Sequence, residues 1–338
     1  MRKHAPAAQI VMQWLQTNMI CGRRGKLDDP AMYKYFSAAE SCSDKYRLWA
    51  ASCYNPSTSL HSLDVLSLMN NDLKLYHHGS SACAAKVRLV LAEKNLQWES
   101  RYLDILKGEQ FNPDYLRLNP KAVVPTLVHE GHVITESTII CEYLEDAFPN
   151  YPLYPASALE KASARYWTNA VDEELHPACS ALTYVVSHRH TILRNGVGSF
   201  DDFINNGDAA GKAARLMKWQ WINEGINAPG AADKIRLYVS YLRKMESALS
   251  GNDWLLGKQF SIADVVMAPY VNRLNALAMS PLWENGKLPA VASWFARLQQ
   301  RSSFQQAIID WVPADLREEM LSNGQKSWPQ ISSIEGLS

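Results

Sequence analysis

Leu118-Asn-Pro-Lys-Ala-Val-Val-Pro-Thr-Leu127 runs into Val128-His-Glu-Gly-His-Val-Ile-Thr135 and then Glu136-Ser137, and these twenty residues decide the fold. Asn119-Pro120 stops the polar, weakly helical segment Lys107–Leu118, because the residue before a proline is driven out of the helical region. Pro125 has no N–H to give a sheet, so it belongs at a strand start or an edge. A cis bond there fixes a sharp turn and leaves the Val124 N–H and C=O open to an extended ligand; a trans bond makes it a plain strand start. Thr126–His129 and His132–Thr135 read as two short strands. The Glu130-Gly131 dipeptide between them suits a type I′ hairpin. Ser137–Phe148 then reads as a helix, with Ser137 as N-cap and Ile140, Tyr143 and Leu144 inward.

Upstream of this stretch, Leu73–His77 alternates as a strand and Gly79-Ser80-Ser81 is turn chemistry. Ala84–Lys94 is a helix with Val87, Leu89, Val90 and Leu91 on an apolar face, ended by Asn95. Trp98–Leu103 is a second strand. Strand, helix, strand is a right-handed βαβ unit. Downstream, Pro149, Pro152 and Pro155 mark a linker over 149–158, after which no strand pattern recurs. Leu159–Arg194 is a long helical stretch with Trp167, Val171 and Leu175 on one stripe, kinked or ended within by Pro177. Asn195–Gly211 is loop-like. Helices follow over Ala213–Asn227, Ala232–Leu249, from Ser261-Ile-Ala-Asp264, an Asp variant of the capping box, and over Pro289–Arg301. The expected fold class is α/β plus all-α, a βαβ–ββα domain at 69–150 and a helical domain at 159–312, with a tail at 313–338.

Residues 1–68 lack sustained periodicity and read as an extension outside the core fold. Arg2, Lys3, Arg23, Arg24 and Lys26 accompany Ile10, Val11, Trp14, Leu15 and Met19 at helical spacing. That pattern also fits a mitochondrial-type presequence. Met69 precedes the first strand and is a natural domain start.

Composition removes several function classes. The chain has 338 residues with 34 Lys+Arg against 34 Asp+Glu, so no bulk charge draws it to nucleic acid or an anionic membrane. No apolar run reaches the ~18 residues of a membrane span. Six scattered cysteines without a C-x-x-C pair are neither a disulfide scaffold nor a zinc module, and a reducing, cytoplasmic setting follows. Dinucleotide, P-loop, zincin and nucleophile-elbow signatures are absent from the sequence.

Three places carry chemistry. Gly79-Ser80-Ser81-Ala82-Cys83 lies between a strand and a helix N-terminus, where Ser81 can donate to a thiolate and the helix dipole favours negative charge. Cys83 is either a low-pKa thiol itself or a small buried hydrophobe, and Ser81 is also a natural N-cap. Val124-Pro125 presents backbone to a ligand. Glu136-Ser137 at a helix start suits an α-amino acid head group, ammonium on Glu136 and carboxylate on Ser137 and the free N–H groups. His188-Arg189-His190 has i, i+2 spacing that points the rings apart, so no metal site is expected and the rings read as solvated or substrate-lining. Tyr184 and Trp219 are candidates for an aromatic-substrate pocket, the other aromatics of the helical region being core.

The order of these places on one βαβ–ββα frame resembles the cytosolic glutathione transferases over Leu73–Trp311. L-N-P-x-x-V-V-P-T-L, T-E-S-T-I-I-C-E-Y-L-E-D and W-L-L-G-K-Q-F-S-I-A-D-V carry the resemblance. It implies a thioredoxin-like domain followed by a helical domain, glutathione as co-substrate and no metal. It implies that Val124 pairs with the cysteinyl backbone of glutathione, Pro125 is the cis-proline, Glu136 and Ser137 hold the γ-glutamyl group, and Lys121 meets the glycyl carboxylate. The activating residue stays open. Ser81 matches the serine of the theta and zeta classes, and Ala82-Cys83-Ala84 matches the A-C-S of the beta class. The loop is also similar to the zeta S-S-C-x-W-R-V-R, with Ala85 and Lys86 in place of its Trp and Arg.

A narrower resemblance joins Val133–Pro149, Val171-Asp172-Glu173, Lys218-Trp219 and Val312-Pro313 to the bacterial β-aryl etherase branch. It implies an electrophilic aromatic small molecule as second substrate, with ether cleavage as the chemistry, and a detoxification-type cytoplasmic homodimer. The substrate-lining candidates are Tyr184, His188 and Trp219. Two alternatives stand beside this reading: a non-catalytic glutathione- or ligand-binding or regulatory protein of the same fold, and a Cys83-dependent thiol-exchange enzyme.

Overall fold

Alternation in Leu73-Lys-Leu-Tyr-His77 is realised as strand β1 (Leu73–His77), which buries Leu73, Leu75 and His77 and leaves Lys74 and Tyr76 half-buried. The computed structural model describes residues 72–196, 199–205 and 211–334. The extension 1–68 and the expected start at Met69 lie outside them. After β1 come helix α1 (Ala82–Glu93), strand β2 (Glu99–Tyr102), helix α2 (Pro113–Leu118), strands β3 (Thr126–His129) and β4 (His132–Thr135), and helix α3 (Ser137–Ala147). The sheet order is β2-β1-β3-β4. β1 pairs parallel with β2 through the α1 crossover and antiparallel with β3, and β3 pairs antiparallel with β4. Glu130 and Gly131 both take positive φ, +49° and +80°, as a type I′ turn demands.

Two local expectations are corrected. α1 was expected to bury one face; it is buried nearly all round, Lys86 and Arg88 included. The cause is its position, since α3, a later helix and the segment Gln305–Ile309 all pack on it. Ser137 was expected as the N-cap of α3. Instead Glu136 holds that place with φ +65°, and Ser137 is the first helical residue. A single residue separates β4 from α3, so Glu136 alone makes the turn.

Beyond the prolines, residues 158–195 run on without a break as α4 (Ala158–Ala170), a wide turn Val171–Leu175, α5 (His176–Thr183), a second wide turn Tyr184–His188, and α6 (Arg189–Asn195). In the first wide turn the His176 N–H bonds the Val171 carbonyl, five residues back. Pro177 explains it: its ring would clash with the carbonyl four residues back and it has no N–H to offer, so the preceding turn opens. The helix widens at Pro177 rather than ending. A short helix α7 (Phe200–Asn205) lies within the segment expected as loop, and α8 (Lys212–Glu224), α9 (Ala231–Ala248), α10 (Ile262–Ala276) and α11 (Pro289–Gln299) follow. The segment set apart as a tail contains α12 (Ala314–Ser332), which buries Leu316, Met320 and Ile331.

α10 is the centre of the helical half and is buried along most of its length. Its start is fixed as expected: the Asp264 carboxylate accepts from the Ser261 N–H at 3.0 Å and hydroxyl at 2.9 Å, and also from the Trp294 indole at 2.9 Å. Both α1 and α9 pack against the α4–α6 rod or α10, so one core is shared by the sheet half and the helical half.

Candidate active site

The site forms where the loop after β1 enters α1. Buried cations from two elements hold that loop. From α1, Arg88 donates to the carbonyls of His78 and Gly79 at 3.1 Å each and to that of Ala307 at 2.7 Å. From α10, Arg273 donates to the Ser80 carbonyl. Gly79 is the one residue that fits this loop, because a Cβ would stand 2.0 Å from the Trp311 carbonyl oxygen. The Ser80 hydroxyl lies 3.0 Å from His78 Nδ1 and 3.2 Å from His188 Nε2.

Ser81 caps α1, its oxygen accepting from the Ala84 N–H at 3.2 Å. The hydroxyl proton is left to donate elsewhere, beside a helix N-terminus that favours an anion. Val124 is buried and the Val124–Pro125 bond is cis. A buried knot holds the segment before β3: the Tyr115 hydroxyl and Asn119 Nδ2 both donate to the Val123 carbonyl, at 2.5 and 3.0 Å, and both reach Thr126 Oγ1. Ser137 is buried at the start of α3. Glu136 and Lys121 face each other on the surface, Nζ to Oε1 at 2.7 Å.

Cys83 is partly exposed and meets a different set of groups. Its Sγ is 3.4 Å from His176 Nδ1 and 3.9 Å from the Tyr270 hydroxyl, and that hydroxyl is 3.3 Å from the same nitrogen. His176 reaches it because the wide turn at Val171–Leu175 ends there. Lys86, one turn along α1, donates to Asp172 Oδ1 at 2.9 Å and Thr138 Oγ1 at 3.1 Å, joining α1, α3 and the wide turn. Burial alone would raise the Cys83 thiol; His176, Lys86 and the Ser137 hydroxyl outweigh it and bring its pKa down to about 6. Cys141, without an imidazole beside it, is pushed up by burial to about 12.

The remaining candidates lie in the helical half, Tyr184 and Trp219 half-buried and His188 buried. His188 is 4% exposed, and burial together with Arg273 holds it well below the ordinary imidazole range. It stands edge-on to Tyr184 at 5.8 Å, and Lys218 lies over the Tyr184 ring at 5.5 Å. A chain of contacts therefore runs from Ser80 through His188 to Tyr184. Trp219 packs instead on Phe200 and Phe203. Two cavities of about 270 and 320 Å³ open beside Arg88, Trp98 and Trp311 and beside His190 and Lys326. Sequence reading did not find His176, Tyr270, Lys86 or Asp172 as site residues. Lys86 carried a usable signal, its i+3 spacing from Cys83 on one helix. His176 and Tyr270 come from 93 and 187 residues away and carried none.

Residues 80–147 match the family model described as glutathione S-transferase, N-terminal domain, and residues 228–297 that described as glutathione S-transferase, C-terminal domain. The chain is 30% identical over 253 residues, 74% of its length and 96% of the relative's, to protein LigF of Sphingobium sp. (strain NBRC 103272 / SYK-6). It belongs to the glutathione S-transferase family. That family uses glutathione as co-substrate, so this transferase is an enzyme of that type, with a thioredoxin-like half and a helical half. The crystal structure of the beta-etherase LigF from Sphingobium sp. strain SYK-6 superimposes with a TM-score of 0.64 at 29% identity, over 70% of this chain and 99% of that one. A zeta-class glutathione S-transferase of Euphorbia esula is 40% identical over 105 residues, 31% of this chain and 47% of that protein. Among the described residues no helix is long and apolar enough to cross a membrane.

Proposed function

We propose that this chain is a glutathione transferase that turns the thiol of glutathione on an electrophilic aromatic small molecule, and that the bond it cleaves is an ether C–O bond. The observation that carries the reading is Ser81. Its oxygen is engaged by the Ala84 N–H at 3.2 Å, so its proton is the group it has to give, and it gives it at the N-terminus of α1. Bound glutathione supplies the sulfur nucleophile. Ser81 and the helix end hold that sulfur as a thiolate; the Val124 backbone pairs with the cysteinyl unit beside Pro125. Glu136 and Ser137 take the γ-glutamyl group and Lys121 the glycyl carboxylate. The Lys121–Glu136 pair supports this assignment: it sets a cation and an anion side by side at the surface, ready to be shared with a ligand that carries both charges. Tyr184, with His188 behind it, supplies one aromatic wall, and Trp219, packed on Phe200 and Phe203, a second. The likeness to the beta-etherase LigF supports the aromatic ether as substrate, and the family supports a cytoplasmic two-fold dimer, which sedimentation at micromolar concentration tests.

Ultraviolet difference spectra of bound glutathione thiolate against pH test the central claim. Removal of a hydrogen bond to a charged group costs ~1.5–3 kcal/mol, so Ser81→Ala raises the bound-thiol pKa by roughly one to two units. An unmoved pKa in Ser81→Ala overturns the assignment of Ser81.

A further inference from the structure

We propose that His176 and Tyr270 are positioning residues that hold the Cys83 sulfur as a thiolate beside the glutathione site, where it exchanges with a disulfide carrying a glutathionyl group. The geometry is a closed triangle. Sγ and Nδ1 are 3.4 Å apart, Nδ1 and the Tyr270 hydroxyl 3.3 Å, and the hydroxyl and Sγ 3.9 Å. Nε2 is also near the sulfur, at 3.7 Å, so the imidazole lies against it with both nitrogens in reach. A protonated imidazole only donates, whereas a thiolate only accepts. Tyr270 is fully buried beside two thiols, Cys83 and Cys179, and its hydroxyl is held well above the usual phenol range, so it keeps its proton and donates. With the proton moved from sulfur to nitrogen, each member of the triangle has a complementary neighbour.

Four elements face this sulfur. Lys86 stands one turn along α1. Ser137 and Cys141 come from α3, and Asp172, His176 and Cys179 from the helical rod. Tyr270 comes from α10. The Asp172 charge is engaged by Lys86 and by the Thr138 hydroxyl, each at 2.9 Å. The other two thiols among the described residues, Cys141 and Cys179, are raised by burial and stay neutral. His176 is therefore the partner that the sulfur meets directly, and Lys86 stands behind it.

The chemistry differs from that of Ser81. There the protein offers a hydroxyl to a sulfur it does not own; here the nucleophile is covalently part of the chain. The Cys83 thiolate attacks the glutathionyl sulfur of a mixed disulfide between glutathione and another thiol; that S–S bond breaks as a Cys83–glutathionyl bond forms, and the other thiol leaves as thiolate. A second glutathione thiolate attacks the bound glutathionyl sulfur, restores the Cys83 thiolate and leaves as part of a new disulfide. No electron is gained or lost overall. The exchange rests on the glutathione-binding reading; the thiolate itself does not.

Two measurements on the full chain separate these layers. Iodoacetamide alkylation of Cys83, followed by peptide mass spectrometry against pH without glutathione, reads the thiolate alone. The midpoint is expected at about 6, against ~8.5 for an ordinary cysteine. An opposite charge at this range is worth ~1–3 pKa units, so His176→Gln moves the midpoint up by that amount and Tyr270→Phe by less. His176→Lys, which restores a cation, brings it part of the way back. A wild-type midpoint in the ordinary thiol range, or one unmoved in His176→Gln, overturns the proposal. The second measurement is incubation with oxidised glutathione at pH 7. One glutathionyl group is expected on Cys83, lost on adding glutathione, and formed more slowly in His176→Gln, by about twofold for a midpoint raised one unit and about tenfold for two, as the thiolate fraction at pH 7 falls. No adduct on a Cys83 that alkylates with the low midpoint overturns the exchange. Glutathione binding by the same samples, read by calorimetry, tells that outcome from failure of the glutathione site.

Discussion

Ser81 and Cys83 stand two positions apart at the start of one helix, yet they face walls of different construction. The wall proposed around Ser81 is made of element ends: a helix N-terminus, the turn into β3 and the single-residue joint between β4 and α3. Its chemistry is largely backbone and surface charge, and it is drawn from residues 81–137. The Cys83 wall is made of side chains that several helices bring together, from the first turns of α1 and α3 and from the helical half. His176 and Tyr270 reach it only because a wide turn and a central helix bring them there. The first wall suits a ligand that arrives from solvent and must be gripped and released. The second suits a group that must be held in one protonation state. Both are anchored by α1, so the comparison can be broken from below by loosening that helix, or sharpened by touching one wall alone.

Arg88→Met is expected to have the largest effect. It removes the donor from the carbonyls of His78, Gly79 and Ala307. An orphaned buried acceptor costs ~1–3 kcal/mol, so a loss of roughly 3 kcal/mol or more is expected in denaturant unfolding, with a lower midpoint and an unchanged slope. Both walls should suffer together in the folded fraction, because the loop that carries Ser81 and leads into Cys83 loses its strut. Lost stability with neither thiol readout altered would show that the walls keep their shape without it.

Next in size is the double dissociation between Ser81→Ala and His176→Gln. Ser81→Ala also removes a cap worth ~1 kcal/mol, but its signature is the bound glutathione thiol, up by roughly one to two units, with the Cys83 alkylation midpoint in place. His176→Gln should do the reverse. A variant that shifts both thiols alike would merge the two walls into one.

The contrast between the walls also explains what the sequence disclosed. β1, β3 and β4 stand where alternation and turn residues placed them, since short strands bounded by Gly, Pro and charged residues leave little freedom of register. Val124-Pro125 and Glu136-Ser137 were legible as element ends, because ends are marked by punctuation. The all-round burial of α1 was not legible: Lys86 and Arg88 look like a solvent face until distant carbonyls and Asp172 are known to cover them. Nor could Pro177 disclose His176. A proline announces a disturbed helix, but whether the turn breaks, kinks or widens depends on what packs against it. The exchange of roles between Glu136 and Ser137 at the α3 cap was missed for a similar reason. Cap preference favours Ser, and a one-residue joint overrode it.

Lys86→Met touches the Cys83 wall more lightly. It deletes a cation one turn from the sulfur and leaves Asp172, 42% exposed, to water. The Cys83 midpoint should rise by less than in His176→Gln, because Lys86 contributes after His176. Stability should fall by about 1 kcal/mol, as for a typical substitution that leaves no stranded charge. A rise equal to that of His176→Gln would make the field of the helix start, and not the imidazole, the main support of the thiolate.

Lys121→Gln is expected to have the smallest effect on the fold and the clearest difference between the walls. The Lys121 and Glu136 side chains are 60% and 49% exposed, and pairs of that kind contribute ~0–1 kcal/mol. Unfolding midpoints should therefore be nearly those of the wild type. Glutathione affinity should fall severalfold, because the proposed site sets this charge against the glycyl carboxylate. Salt gives the same answer without a mutation. Between 0.1 M and 1 M the screening length contracts from ~10 Å to ~3 Å. Wild-type glutathione affinity should drop over that range, and most of the drop should vanish in Lys121→Gln. The Cys83 alkylation midpoint should hardly move, since its partners touch the sulfur and leave no room for ions between. If salt weakens both readouts in the same proportion, the Cys83 wall is as open to solvent as the Ser81 wall, and the difference in their construction has no electrostatic consequence.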